Sequence, residues 1–247
     1  MAKTKSKTCS RTNASLANNP VFVTPDRRQA ADLPFDPQAA AAFLSQADRR
    51  LARVIAQVGE FALRPEKMQS PFQALLKAVV YQQLSGKAAA TILGRVMALA
   101  PHRRGMQPEA ILGLSDELLR QAGMSRAKVL AVKDLAAKTL EGTVPTLAKL
   151  RRMDDEEILA RLVSVRGVGR WTVEMLLIFR LGRPDVLPVS DLGIRRGFML
   201  TYRKRDLPAP ADIARYGERW RPFRSVASWY LWRSVELHRR EAMILPD

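Results

Sequence analysis

The stretch Leu159-Ala160-Arg161-Leu162-Val163-Ser164-Val165-Arg166-Gly167-Val168-Gly169-Arg170-Trp171-Thr172 decides the fold. An apolar helix ends, two glycines flank one valine, and a second helix begins at once. Glycine at both positions permits a tight reversal and the close approach of another backbone. The second helix then starts with free N–H groups pointing outward, where the helix dipole favours an anion. Val168 between the glycines can plug into a core. Arg166 and Arg170 add positive charge on either side. The device suits a phosphate backbone held without reading bases. An ordinary helix–helix turn would share the glycines but would not need the arginines.

The whole chain agrees with a polyanionic partner. Its 247 residues hold 41 Lys and Arg against 24 Asp and Glu, a formal charge of +17. Neutralised phosphates release condensed counterions, so such a chain favours nucleic acid. The length accommodates one large domain or two small ones. The single cysteine, Cys9, excludes a disulfide framework, and with only His102 and His238 beside it argues against a zinc or iron–sulfur site. No apolar run approaches the roughly 20 residues of a spanning helix, and the start lacks the apolar core of a signal peptide.

Outward from the hairpin, the patterns are helical. Phe72, Leu75, Leu76, Val79 and Val80 make an i, i+3, i+4, i+7 stripe. Helices are predicted over 39–58, 88–99, 112–119 (with Ser115 as an N-cap), 125–140, 154–163, 171–181, 192–201, 210–220 and 222–239. The four acids Asp154, Asp155, Glu156 and Glu157 suit a helix N-terminus. No alternating strand pattern stands out, so the expected class is all-α with about ten short helices. Residues 1–34 read as a flexible basic tail, with Lys3, Lys5, Lys7 and Arg11 among Ser, Thr and Asn.

Beyond the hairpin lies Pro184-Asp185-Val186-Leu187-Pro188-Val189-Ser190-Asp191-Leu192-Gly193. By local sequence alone, Ser190 or Asp191 is an N-cap for the helix near Leu192. Asp191 follows the hairpin by about twenty residues, a pairing that bears on the resemblance below. Three further motifs accompany it: Tyr81-Gln82-Gln83-Leu84-Ser85-Gly86-Lys87-Ala88-Ala89, Trp220-Arg221-Pro222-Phe223-Arg224-Ser225, and Trp232.

In this order the motifs resemble the helix-hairpin-helix DNA glycosylase superfamily, and within it the alkylation-repair branch of 3-methyladenine DNA glycosylase II type. The resemblance spans residues 36–240. It implies an all-α fold with two helical subdomains, about 73–180 and 35–72 plus 181–247, and the active-site cleft between them. It implies that Asp191 is the catalytic acid and that Trp171, Trp232 and Met175 form the base pocket. It implies that Leu84, with Gln83 beside it, wedges into the duplex, and that Arg166, Gly167, Val168, Gly169 and Arg170 grip DNA. Arg224 is expected to support the pocket. The backbone carbonyls of Val163, Val165 and Val168 are candidates for an alkali-metal ion, sodium or potassium. No cofactor is required, the partner is double-stranded DNA containing alkylated bases, and a monomer is expected. The compartment is the cytoplasm, at the nucleoid, in a bacterium, or the nucleus in a eukaryote.

The chemistry suits these residue types. A base inside a duplex must flip out to be reached, and an apolar wedge can fill the gap it leaves. An indole face attracts the positive charge of an alkylated purine. One carboxylate near the sugar can stabilise an oxocarbenium-like transition state or activate water. Family members that also cut the backbone carry a lysine nucleophile after the hairpin. Here the position is Trp171, which implies hydrolysis without lyase activity. The missing cysteine cluster argues against the endonuclease III and adenine-mismatch branches. Met175 stands where a larger bacterial relative carries an aromatic, which bears on substrate range. A non-catalytic DNA-binding module, or a glycosylase for oxidised or mismatched bases, shares some of these features. Asp191 and the tryptophans separate the module from the enzyme.

Overall fold

A computed structural model describes residues 31–103 and 105–244. The expected basic tail lies mostly outside these residues, and Cys9 with it. Thirteen α-helices and no strand occur among the described residues.

Local capping sets most boundaries. α1 (Pro37–Ala47) starts at Asp36, whose carboxylate accepts from Gln38 N, and has Pro37 at its first turn. α2 (Arg49–Val58) starts at Asp48. The single helix expected over 39–58 is therefore two. Asp48 breaks it because its carboxylate accepts from Arg50 N and Leu51 N, which needs an extended backbone at Asp48 itself. α3 (Pro71–Tyr81) buries the stripe read from sequence, Phe72, Leu75, Leu76, Val79 and Val80. α4 (Gly86–Leu99) follows from its cap Ser85.

The segment expected as one helix over 112–119 is divided between α5 (Pro108–Gly113) and α6 (Asp116–Gln121). Ser115 caps the second by accepting from Leu118 N at 3.3 Å. α7 (Arg126–Leu140) starts from Ser125. α8 (Leu147–Leu150) escaped the sequence reading, since four residues carry no periodicity. α9 (Asp155–Leu162) and α10 (Arg170–Phe179) are the two helices of the hairpin. α11 (Leu192–Thr201), α12 (Pro210–Gly217) with a 3-10 turn over Glu218–Trp220, and α13 (Arg224–Ile244) complete the chain.

The buried apolar side chains form one continuous core. α10 is buried from Thr172 to Ile178, as befits a helix that is apolar almost all round. α1 and α2 fold back onto α13, and α11 packs along α13. The second contact is close, because a Cβ on Gly197 would collide with the carbonyl oxygen of Leu231. α3 packs on α4 and α7, with α5 and α6 also against α7. The site residues thus hang on three supports: α10, the α11–α13 pair, and α7.

Candidate active site and DNA-contacting hairpin

Asp191 is the N-cap of α11, with Oδ1 accepting from Ile194 N at 2.9 Å. The cap expected from local sequence is real, and it is only part of what the carboxylate does. Oδ1 also accepts from Trp232 Nε1 at 2.8 Å, and Oδ2 accepts from Trp171 Nε1 at 2.8 Å. Both indoles therefore point their N–H at one acid that is only 7% exposed. Three N–H donors fix its orientation.

The two tryptophans differ. Trp171, the second residue of α10, is half-buried. Trp232 is 2% exposed and stacks on Phe179 with centroids 5.6 Å apart. It buttresses the carboxylate from within the core. Met175, one turn after Trp171, is also buried.

The loop that delivers Asp191 is stapled to the start of α13. Arg224 makes a two-pronged pair with Asp185, Nε to Oδ1 at 2.7 Å and Nη2 to Oδ2 at 3.0 Å. Ser225 Oγ donates to Arg183 O at 2.6 Å and accepts from Val186 N at 2.9 Å. Ser228 Oγ donates to Arg224 O within α13 and also lies 3.3 Å from Val186 O of the loop. Arg224 thus acts on the acid through the loop, not by touching it.

Sequence reasoning missed Glu174. Its carboxyl is 3% exposed, and Oε1 accepts from Arg170 Nε at 2.9 Å while Oε2 is buried without a hydrogen-bond partner. Burial pushes this carboxyl above its ordinary range; Arg170 opposes the shift and the nearby charge of Asp191 adds to it. An acid inside the apolar run after Trp171 was the visible signal.

At the hairpin, Gly167 has φ +77°, the left-handed region that glycine enters without steric cost. Gly169 caps α10 with no side chain, and a Cβ there would meet open space. Val168 is buried, and Arg166 is exposed. Arg170 is exposed but engaged by Glu174 and, at 3.8 Å, by Glu156. α7 holds the turn from below: Asp134 Oδ2 accepts from Arg166 N at 2.7 Å, and Lys138 donates to the carbonyl of Ser164. The carbonyls of Val163, Val165 and Val168 are hard oxygen donors of the type an alkali ion takes, and that of Val165 already accepts from Val168 N at 3.0 Å.

Between α3 and α4, Gln83 and Leu84 form an exposed tip. Leu84 is 38% exposed, and Gln83 has φ +58°, unusual for a residue with a Cβ and costing about 1–2 kcal/mol. Gln82, quoted in the motif but given no role, donates from Nε2 to Gly167 O at 2.8 Å.

Two glycines opening an uncapped helix, a buried acid held at the start of α11 and an exposed apolar tip beside them define a helix-hairpin-helix protein that works on a nucleic-acid backbone. The family model described as HhH-GPD superfamily base excision DNA repair protein matches residues 76–222. The chain belongs to that superfamily. It is 37% identical over 197 residues to DNA-3-methyladenine glycosylase 1 of Schizosaccharomyces pombe, covering 78% of this chain and 86% of the relative. The solved structure of that yeast's 3-methyladenine DNA glycosylase in complex with abasic DNA has TM-score 0.70 at 36% identity, covering 80% and 97% of the two chains. A DNA-3-methyladenine glycosidase from Bacillus halodurans has TM-score 0.75 at 33% identity, covering 86% and 94%.

Proposed function

We propose that this chain is a monofunctional DNA glycosylase of the alkylation-repair branch. It flips bases such as 3-methyladenine and 7-methylguanine out of double-stranded DNA, hydrolyses the N-glycosidic bond and leaves an abasic site for base excision repair. The single observation carrying this reading is Asp191, a nearly buried carboxylate gripped by Trp171 and Trp232 at 2.8 Å each. The names of the yeast and bacterial relatives support the same substrate class.

In this reading the alkylated base leaves readily, so the protein needs little acid catalysis. Ionised Asp191 stabilises the positive charge that develops on the sugar and orients the attacking water. The accessible side of Trp171 takes the cationic base, an attraction of about 0.5–2 kcal/mol. Met175 contributes a soft wall once the base is in, and Trp232 positions the acid. Arg166, Gly167, Val168, Gly169 and Arg170 hold the backbone of the lesion strand. Leu84 wedges into the duplex, with Gln83 contacting DNA beside it. The cleft lies between residues 73–180 and the unit formed by 35–72 and 181–247; the packing of α1 and α2 on α13 supports that division. The carbonyls of Val163, Val165 and Val168 would hold a sodium or potassium ion, which when bound supplies positive charge next to the gripped phosphate. No other cofactor is needed. The protein acts as a monomer on nucleoid or nuclear DNA. Trp171 stands where a lyase would carry its lysine, so no Schiff base forms there.

The test is release of base from duplexes containing 3-methyladenine or 7-methylguanine by wild type and Asp191→Asn. Release lost in the variant, with duplex binding retained, is expected. Equal release by both would overturn the role of Asp191, and no release by either would point to a binding module. Borohydride added during turnover should trap no protein–DNA adduct; a trapped adduct would refute the monofunctional reading.

A further inference from the structure

One face of α7 touches both the hairpin and the Gln83–Leu84 loop, the two loops that the proposed function sets against DNA. Lys128, Ala131, Asp134 and Lys138 recur at spacings of three and four along it, the spacing of a single helix face. The lower three serve the hairpin. Asp134 holds Arg166 N, Lys138 holds the Ser164 carbonyl, and the methyl of Ala131 lies under Gly167, where an added Cβ would come within 3.1 Å. Lys128 serves the other loop. Its Nζ donates to Val80 O at 2.7 Å and to Gln82 O at 2.9 Å. These are carbonyls at the C-terminus of α3, immediately before the tip.

A second tie joins the loops directly. Gln82 Nε2 donates to Gly167 O at 2.8 Å, across 85 residues of sequence. The carbonyl of Gln82 is thus held by Lys128 and its side chain by the hairpin. Gln83 next in sequence is in the left-handed region, and Leu84 N donates back to Tyr81 O at 3.3 Å. A strained residue persists where its neighbours are over-determined. Burial lowers the Lys128 ammonium below its ordinary range, which fits a lysine whose charge serves two carbonyls in place of solvent.

We infer that Lys128 and Gln82 are positioning residues that lock the Gln83–Leu84 tip to the hairpin, so that a phosphate gripped at Gly167–Gly169 fixes where Leu84 meets the duplex. From Lys128 to Lys138 a helix runs about 15 Å, and it moves as one piece. The hairpin and the tip therefore keep one offset, and the nucleotide displaced is set by where the backbone is held. This rests on reading Leu84 as the wedge.

The experiment compares the full chain with Gln82→Met, Lys128→Met, Lys128→Arg and Leu84→Ala. The probes are a duplex with a tetrahydrofuran abasic analogue, with 2-aminopurine beside it to report unstacking, and the same duplex undamaged. Leu84→Ala should lower the preference for the abasic analogue and the 2-aminopurine signal. Gln82→Met and Lys128→Met should each lower the preference about threefold to tenfold, the range of one or two hydrogen bonds, with undamaged-duplex affinity held within about twofold. Lys128→Arg should recover part of the loss. Combined with Leu84→Ala, neither variant should add a further loss, because both act through the same side chain. If Leu84→Ala lowers the preference and Gln82→Met and Lys128→Met leave it intact, or lower undamaged binding equally, the positioning role is wrong. If Leu84→Ala itself changes nothing, the wedge reading fails and the inference falls with it. Gln82 is at the surface, so its variant remains informative should Lys128→Met lose thermal stability.

Discussion

Asp191 meets three N–H donors before any substrate arrives, and an amide in its place meets them badly. Asparagine caps helices as well as aspartate does, but one of its two heads is a donor and would face an indole N–H. Asp191→Asn should therefore cost about 1–3 kcal/mol of stability as well as base release, which should fall at least about a hundredfold. Thermal unfolding and release assays on the same preparation separate the two effects; a variant of unchanged Tm would mean the indoles do not depend on the charge. Asp48 offers a second test at this scale. It is buried, with Tyr202 Oη donating at 2.5 Å and Trp220 Nε1 at 3.0 Å to one oxygen. Burial alone would raise its pKa, but the hydrogen bonds from Tyr202, Leu51 N, Trp220 and Arg50 N outweigh that and hold it below the ordinary 3.8. A depressed carboxyl stabilises the fold above its unfolded pKa and loses that contribution as pH falls through its folded value. Asp48→Asn should lower Tm at neutral pH, by about 1.5–3 kcal/mol in stability, and flatten the fall in Tm below about pH 5. Parallel Tm curves for the two proteins would refute this. Glu174 runs the other way: its raised pKa contributes stability below 4.5 that is lost as pH rises through the folded value. Of these acids only Asp191 was singled out from sequence, as a cap by local pattern and as the expected catalytic acid through the resemblance to the glycosylase superfamily. Asp48 and Glu174 are ordinary acids until partners 154 residues away, for Asp48, or an apolar surround, for Glu174, give them meaning.

At the scale of elements, the contact between α11 and α13 sets the site. Asp191 begins α11, Trp232 lies within α13, and Gly197 lets the two helices touch. A methyl at Gly197 meets backbone rather than a flexible side chain, so the helices must part. Gly197→Ala should cost about 1–3 kcal/mol, with Tm falling roughly 2–4 °C for each kcal/mol in a chain of this size. Base release should drop more than duplex binding does, because the Asp191–Trp232 bond opens while the hairpin stays in place. An unchanged Tm would show that the contact can relax. Helix existence was legible for most elements, since Ser115 and the acids Asp154 to Glu157 sit beside periodic apolar runs, while α8 and the division of α5 from α6 were not. The break at Asp48 was not, because an acid within an alanine-rich run looks like an exposed helical residue until its carboxylate is seen to turn back on Arg50 and Leu51.

Across the whole molecule, the charge of +17 governs binding more than folding. Affinity for undamaged duplex should fall steeply with salt, by roughly a thousandfold between 50 and 200 mM if about six phosphates are neutralised. A titration that is flat over that range would count against phosphate-led binding. The helical class, the hairpin turn and the cap at Asp191 were legible in the linear chain, through apolar period, backbone freedom at glycine and helix capping. The roles read for Asp191, Trp171 and Trp232 came from the resemblance of the ordered motifs to the glycosylase superfamily. Tertiary structure alone decided what those residues do to one another. It aimed both indole N–H groups at Asp191, buried Trp232 against Phe179 and clamped the acid's loop through Arg224 and Asp185. It also tied Gln82 to Gly167. These are hydrogen bonds and packing between distant segments, and their partners are chosen by the crossing of helices in a shared core, which no local pattern encodes.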